Sequence, residues 1–498
     1  MKLLAILVIV IYSLAMAFIL LYSIIQFSLA LSYKKRATQK APSLDEFPKV
    51  LIQLPIYNEQ YVVERLLNQI LQIDYPKDKL KIQILDDSDD ETSRIIENYL
   101  QSKPDNGFDL IHLKRSDRKG FKAGALAYGL EKSNEEFVAI FDADFLTKPD
   151  FLIKTLGYFQ NEEVGVVQTR WEHINRDYNL LTKLQAFVLD AHFTVEQGGR
   201  ANAGYFLNFN GTAGIWRRAA IVQAGGWSND TLTEDLDLSY RAQLKAWKIV
   251  FAEEVGSPAE LPIEMNALRT QQFRWNKGAA ENTLLNLPKV FRKPNMGLGR
   301  KLHAAAHLMN SFLFLCVLGI GLLSVPMVWA LNSFGELSSL YKFGGVFLIG
   351  MVFLFYFYQL AFKRIHPDSN RLEFVRRFVL FLAFSLGLSL HNALAVMEAY
   401  LGLKTPFLRT PKFNVNNENQ NYLDNKYVLR KVPFVAFLEL LLLGYFMFGI
   451  YLSIILNQFG QTPFLILLVM GYAGIAYYSF APSKRIRRAT ESQVFVSS

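Results

Sequence analysis

The apolar positions of this chain fall into two regimes. Leu3 to Leu31 is almost unbroken apolar sequence closed by Lys34-Lys35-Arg36, and long apolar runs return at 304–331, 343–362, 375–401, 434–457 and 462–481. A membrane-crossing helix takes roughly 20 mainly apolar residues, and each run is near or above that length. The first run is too long for the apolar part of a signal peptide, and no small-residue cleavage site follows it, so it reads as a retained span. Between about 42 and 300 the pattern changes to short apolar runs separated by helical stripes.

In that stretch Val50–Ile56 reads as a strand that runs into Tyr57-Asn58-Glu59, followed by a helix with Val63, Leu66, Leu67, Ile70 and Leu71 on one face. A second strand, Lys81–Leu85, ends in Asp86-Asp87-Ser88-Asp89-Asp90, and a helix begins near Glu91. A third, Asp109–Leu113, leads through a basic loop to a helix containing Lys122-Ala-Gly-Ala-Leu126. The fourth is the run from Phe137 that ends in Asp142-Ala143-Asp144. Strands alternating with helices predict a mainly parallel sheet with right-handed crossovers. The fold class expected is α/β, a mainly parallel sheet domain joined to a helical transmembrane region. The division expected is 1–40 for the first span and its basic flank, 41–300 for the sheet domain, 301–483 for membrane and interface helices with a loop at 402–433, and 484–498 for a basic tail.

Composition agrees with a chain that is part soluble and part membrane: of 498 residues 51% are hydrophobic and 14% aromatic, with 40 Phe and 23 Tyr. The net charge of +9 is informative through its location. Basic clusters sit at Lys34–Arg36, Arg292–Arg300, Lys363–Arg377, Arg409–Lys412 and Lys484–Arg488. They flank the apolar runs and form no continuous face, which argues against nucleic acid, and the positive-inside rule puts them on the cytoplasmic side. A full crossing at 375–401 would export two of these clusters. The run is also broken by His391, Asn392 and Glu398, so it is expected along or partway into the inner interface, giving five crossings, or six if it spans. The sole cysteine, Cys316, can form no intrachain disulfide and reads as a packing residue.

The chemistry starts from Asp142 and Asp144. Carboxylates at the carboxyl end of a buried parallel strand lie on the edge where open α/β sheets bind ligands. Two of them can hold a hard divalent cation, Mg²⁺ or Mn²⁺, that completes its shell with substrate phosphates. The first strand is not followed by G-x-G-x-x-G, and the chain has no Walker A sequence, so acids, a metal and a lysine would hold a nucleotide in place of a glycine cradle. His112, His173, His192 and His303 show no metal-ligand spacing, and Tyr178–Gln197 reads as an amphipathic core helix.

Taken in order, Asp86-Asp87-Ser88, Lys122–Leu126, Asp142–Asp144, Asn208-Phe-Asn-Gly-Thr-Ala-Gly214, Thr233-Glu234-Asp235 and Gln271-x-x-Arg274-Trp275 resemble the family 2 glycosyltransferases. Within these the sequence is most similar to the cellulose-synthase-like branch with its mannan and glucan synthases. The resemblance spans about 48–290 and implies a GT-A-like sheet domain, cytoplasmic, at the plasma or inner membrane, or at the Golgi membrane in a eukaryote. It implies that Asp235 is the base that activates the acceptor hydroxyl, with inversion at the anomeric carbon. Asp144, with Asp142 helping through metal or ribose, would hold the cation, and Asp86 or Asp87 would meet the nucleobase and ribose, one of the pair serving instead as an N-cap. Lys122 would contact phosphate. Phe209, Asn210, Gly211 and Thr212 would line the acceptor path together with Glu234, Gln271, Arg274 and Trp275, the indole stacking on a sugar and the guanidinium forking onto phosphate. Phe407-Leu-Arg-Thr-Pro-Lys412 resembles a gating loop through Phe407, Thr410 and Lys412, with Arg409 where that family has valine.

The activity expected is transfer of a hexose from a nucleotide diphosphate sugar, UDP-glucose or GDP-mannose in type, to a growing β-glycan with the bilayer helices conducting the product. Two other readings stay open: a glycosyltransferase acting on a diacylglycerol or ceramide lipid, and a non-enzymatic transporter with a regulatory domain.

Overall fold

A computed structural model describes residues 1–35, 40–103, 107–334, 343–415, 425–428 and 432–496, with side chains as far as residue 480. The Asn-rich stretch Asn414–Lys426, which reads from the sequence as a polar linker, falls mostly at 416–424, outside the described residues. The basic tail continues the last helix as far as Val496.

Seven strands form one sheet: β1 (Val50–Ile56), β2 (Leu80–Asp86), β3 (Asp109–Lys114), β4 (Phe137–Ile140), β5 (Val164–His173), β6 (Gly214–Arg217) and β7 (Lys248–Ala259), in the order β3-β2-β1-β4-β6-β5-β7. All neighbours pair in parallel except at β6, which runs against both β4 and β5. Only the first four strands are legible as apolar runs; the mixed second half closes the sheet.

Alternation along β1 feeds two layers. Val50, Ile52 and Leu54 pack with Val63, Leu66 and Ile96 on one face, while Leu51 joins Ala125, Leu126 and Val138 on the other. The polar exceptions are paired. Buried Gln53 and Gln83 face each other, Gln53 Nε2 donating to Gln83 Oε1 at 3.1 Å, and both donate to backbone carbonyls of the helix Phe121–Glu131, at Leu126 and Gly129. They fasten to the sheet the helix that carries Lys122.

Five described helical stretches have the length and apolarity to cross a membrane, with mean hydropathy of 1.6 to 3.0: Lys2–Lys34, Leu298–Ser333, Gly345–Ile365, Phe434–Ile455 and Phe459–Phe480. The run expected at 375–401 is two helices, Arg371–Gly387 and Ser389–Tyr400, that meet at 48° and would make a sixth span if counted as one. The first helix is docked onto the sheet domain. A Cβ at Gly199 would stand 2.4 Å from the Leu29 carbonyl, so only glycine lets the two backbones approach, and Tyr33 donates to Glu253 of β7 at 2.7 Å.

Candidate active site

Two joined cavities open at the carboxyl edge of β1, β2 and β4. The first is lined by Tyr57, Glu59, Asp87, Arg118, Phe407, Arg409 and Thr410, the second by Trp171, Asn210, Gly211, Glu234, Asp235, Gln271 and Trp275. Lys122, Asp142, Asp144, Arg274 and Lys412 border both.

At that junction charges are paired. Lys122 Nζ donates to Asp142 Oδ1 at 2.6 Å and to the Gly211 carbonyl at 3.0 Å, and Lys412 Nζ donates to Asp144 Oδ2 at 2.6 Å. Burial works against the Lys122 ammonium, but Asp142, Glu234 and Asp235 outweigh it and hold its pKa above the usual lysine value. The Asp142 amide donates to Thr212 Oγ1 at 2.8 Å, which fixes the end of β4 against the loop 208–214. Among the described residues no three His, Cys, Asp or Glu side chains gather as a metal cage. Asp142 and Asp144 therefore offer a two-carboxylate set, which fits a hard divalent ion that draws its remaining ligands from phosphates and water.

Asp235 stands in the first turn of the helix Glu234–Leu244, its Oδ1 accepting from the Leu236 amide at 2.9 Å. Burial and the adjacent Glu234 carboxylate push its carboxyl up to about 7, against the pull of Lys122 and Arg274. Gly211 brings the loop onto this acid: its φ is +82°, and a Cβ there would lie 3.0 Å from Asp235 Oδ2 and 3.5 Å from Lys122 Nζ. Gln271, Arg274 and Trp275 share one face of the helix Met265–Arg292, since residues three and four apart align. The Arg274 guanidinium lies 4.7 Å over the Phe407 ring.

The segment 405–414 spans the first cavity and is tied at both ends. At one end Lys277 donates to Glu398 at 3.0 Å and also to Thr405. At the other, Glu260 accepts from the amides of Phe413 and Asn414 at 2.8 and 3.1 Å. Between them Arg409 forks onto Glu59, at 3.1 and 3.0 Å. Burial pushes the Glu59 carboxyl up to about 7, with Arg409 and Lys412 pulling it back. Phe407 stacks on Phe121 at 5.7 Å. At the cavity floor the Arg118 guanidinium lies 3.2 Å over the Tyr57 ring, and Arg115 forks onto Asp87.

Three expected residues are placed elsewhere. Asp86 is buried behind the cavity wall, where His112, Ser93 and the Ser88 amide donate to it. Burial alone would raise its carboxyl, yet these bonds leave it below the usual value. Nor does either member of the Asp86–Asp87 pair cap the next helix; Asp90 accepts from the Thr92 amide instead. Phe209 is a core residue packed edge-on to Trp216, and Thr212 holds Asp142 from behind. Glu59, Tyr57, Arg118 and Trp171 line the cavities without having been singled out. The signal for Glu59 was its place just past the end of β1; for Trp171 there was none.

The fold is that of the GT-A glycosyltransferases, and residues 48–278, which match the family described as Glycosyltransferase like family 2, belong to glycosyltransferase family 2. The curated relatives this chain is similar to are glucomannan 4-beta-mannosyltransferases. Glucomannan 4-beta-mannosyltransferase 1 of Oryza sativa subsp. japonica is 38% identical over 297 residues, which make up 57% of this chain and 57% of that protein. Probable glucomannan 4-beta-mannosyltransferase 3 of the same plant is 43% identical over 239 residues, 47% of this chain and 43% of the other. The chain thus spans about half the length of the curated relatives it matches. Among solved structures, the mannosyltransferase PcManGT from Pyrobaculum calidifontis, in complex with GDP-Man and Mn²⁺, shares the fold with a TM-score of 0.52 at 20% identity, covering 74% of this chain and all of that one.

Proposed function

We propose that the protein is a membrane-embedded, inverting glycosyltransferase that extends a β-glycan from a nucleotide diphosphate sugar, with a mannosyl donor of the GDP-mannose type as the first to test. The observation that carries this reading is the meeting of two cavities at Asp142, Asp144, Lys122, Arg274 and Lys412, with Asp235 on one side and the segment 407–412 over the other. The first cavity suits the nucleotide and the second the acceptor. The relatives' β-mannosyl transfer onto glucomannan favours a glycan acceptor over a lipid. The basic flanks of the spans favour a cytoplasmic sheet domain.

In this reading Asp142 and Asp144 would hold Mg²⁺ or Mn²⁺, which would supply Lewis-acid stabilisation of the departing diphosphate. Lys122, Arg274 and Lys412 converge on the same phosphates. Asp235 takes the proton of the acceptor hydroxyl, the oxygen attacks the anomeric carbon from the face opposite the nucleotide, and the configuration inverts. A carboxyl raised to about 7 by burial is well matched to this task near neutral pH. Trp275 offers the acceptor ring a flat apolar face. The helices beyond 300 carry the product across the bilayer.

The test is incubation of membranes holding the protein with labelled GDP-mannose or UDP-glucose and Mg²⁺ or Mn²⁺. Alkali-insoluble polymer is expected. Chloroform-soluble product would replace the glycan acceptor by a lipid, and the absence of any transfer would overturn the reading.

A further inference from the structure

Beside the second cavity the helix Leu180–Ala191 passes into a π-turn, His192–Glu196. This widened geometry recurs at functional sites. Here it brings two polar side chains together: His192 Nδ1 lies 3.1 Å from Glu196 Oε2, and its Nε2 lies 3.3 Å from Asn210 Oδ1. The other Glu196 oxygen accepts from Arg200, at 3.0 Å from Nη2 and 3.3 Å from Nε, and Arg200 is only 1% exposed. Asn210 Oδ1 also accepts from Asn208 Nδ2 at 2.7 Å, and the Asn210 amide N–H donates to Gln168 at 2.8 Å.

The side-chain amide of Asn210 is therefore held by its oxygen. Asn208 Nδ2 and His192 Nε2 converge on that oxygen, while among the described residues its NH₂ group keeps one long contact of 3.5 Å, to the Asn208 carbonyl. Asn210 lines the cavity next to Gly211 and Asp235. Both ring nitrogens of His192 face oxygens, Nδ1 the Glu196 carboxylate and Nε2 the Asn210 side-chain amide. Burial opposes ionisation of Glu196, but His192, Arg200 and His307 hold its carboxyl well below the usual range, so the His192 ring packs against a carboxylate. Tyr22 of the first helix, Tyr240 and Tyr358 also face Glu196.

We infer that His192 is a positioning residue: clamped by Glu196 and Arg200, it turns the Asn210 amide so that the NH₂ group donates to an oxygen of the acceptor sugar. The inference rests on the transferase reading above. Its chemical sense lies in the attacking hydroxyl, whose proton must go to Asp235. An amide turned the other way would present a carbonyl oxygen that competes for that proton.

Three variants of the full-length chain in membranes test this, with GDP-mannose, Mn²⁺ and a graded concentration of β-1,4-mannotetraose. His192→Phe keeps a ring and removes both ring nitrogens; His192→Gln loses the ring and keeps an N–H; Glu196→Gln removes the carboxylate clamp. His192→Phe is expected to lower kcat/KM for the acceptor by roughly tenfold to a hundredfold, the scale of one charge-assisted hydrogen bond, with GDP affinity unchanged. His192→Gln is expected to recover most of that loss. If the Phe variant matches the wild type, or outperforms the Gln variant, the role is packing and the inference falls. Should the Phe variant misfold and fail to bind GDP, Glu196→Gln carries the test: loss confined to the acceptor supports the inference, and wild-type kinetics overturn it. A wild-type protein inactive with both GDP-mannose and UDP-glucose overturns the transferase reading itself, whereas an active wild type with indifferent variants overturns only the role of His192.

Discussion

Replacing Gly211 by alanine separates a contact from a backbone effect at the centre of the site. The residue sits at φ +82°, where an L side chain costs about 1–2 kcal/mol, and that cost should appear as lost stability. The added methyl would also stand 3.0 Å from Asp235 Oδ2, so the carboxylate must retreat by about 0.4 Å to reach ordinary contact at 3.4 Å. Misplacing a reacting group by one ångström costs on the order of a hundredfold in rate, so a shift of that size costs roughly sixfold in kcat. Gly211→Asn completes the experiment, because asparagine tolerates positive φ while its Cβ meets the same oxygen. Transfer kinetics and melting temperature of both variants are the assay. If displacement of Asp235 is the cause, both lose kcat and only the alanine variant loses most of its stability. An asparagine variant with wild-type kcat would refute the contact argument, and an alanine variant unchanged in both respects would refute the geometry altogether.

Three further outcomes are expected. Asp235→Asn should lower transfer by roughly a hundredfold to ten-thousandfold with nucleotide affinity retained, and in the wild type kcat/KM should rise with pH through about 7, because the base works only when deprotonated and burial has raised its carboxyl; a flat profile, or a fast asparagine variant, removes Asp235 as the base. Arg409→Ala leaves Glu59 buried without its guanidinium, so the carboxyl takes up a proton and the covering segment loses its central tie; the donor KM should rise several-fold with acceptor KM unchanged, and an unaltered donor KM would show that the tie is dispensable. Glu439→Ala strands Arg269, whose Nη2 is hydrogen-bonded to Glu439 and, at 2.9 Å, to Ser479; losing one partner of so deeply buried a pair costs about 3–5 kcal/mol, read as a lower melting temperature in detergent, and an unshifted transition would count against it.

The sequence revealed the first half of the sheet because its strands are continuous apolar runs, each ending in polar residues. It revealed β5, β6 and β7 poorly. β6 has four residues, and β5 carries Gln168, Thr169 and Arg170 in mid-strand, so neither run looks apolar. The acids at 142 and 144 were legible as paired carboxylates at the end of an apolar strand, whereas Asp235 and Lys122 stood out only through the motifs that resemble the family. Glu59 and Arg118 were not, because a single charge beside a turn looks solvated until the segment 405–414 folds over it. Phe209 misled in the opposite direction: lying within a functional motif, it serves the core, and its neighbours Asn210 and Gly211 meet the cavity. The His192–Glu196 pair had the four-residue spacing of a helical contact, but its link to Asn210 exists only in three dimensions.

The strip over the nucleotide cavity is pinned to two different bodies, through Thr405 to the helix that bears Trp275 and through Phe413 and Asn414 to Glu260 beyond β7. If the cavity takes the nucleotide as proposed, exchange of spent nucleotide for fresh donor would call for bowing of the middle of the strip and no detachment of its ends. One end shares a rod with Trp275, the proposed stacking face for the sugar. On the proposed reading each opening would tug on Trp275, and turnover and forward movement of the product would be geared together by a single helix.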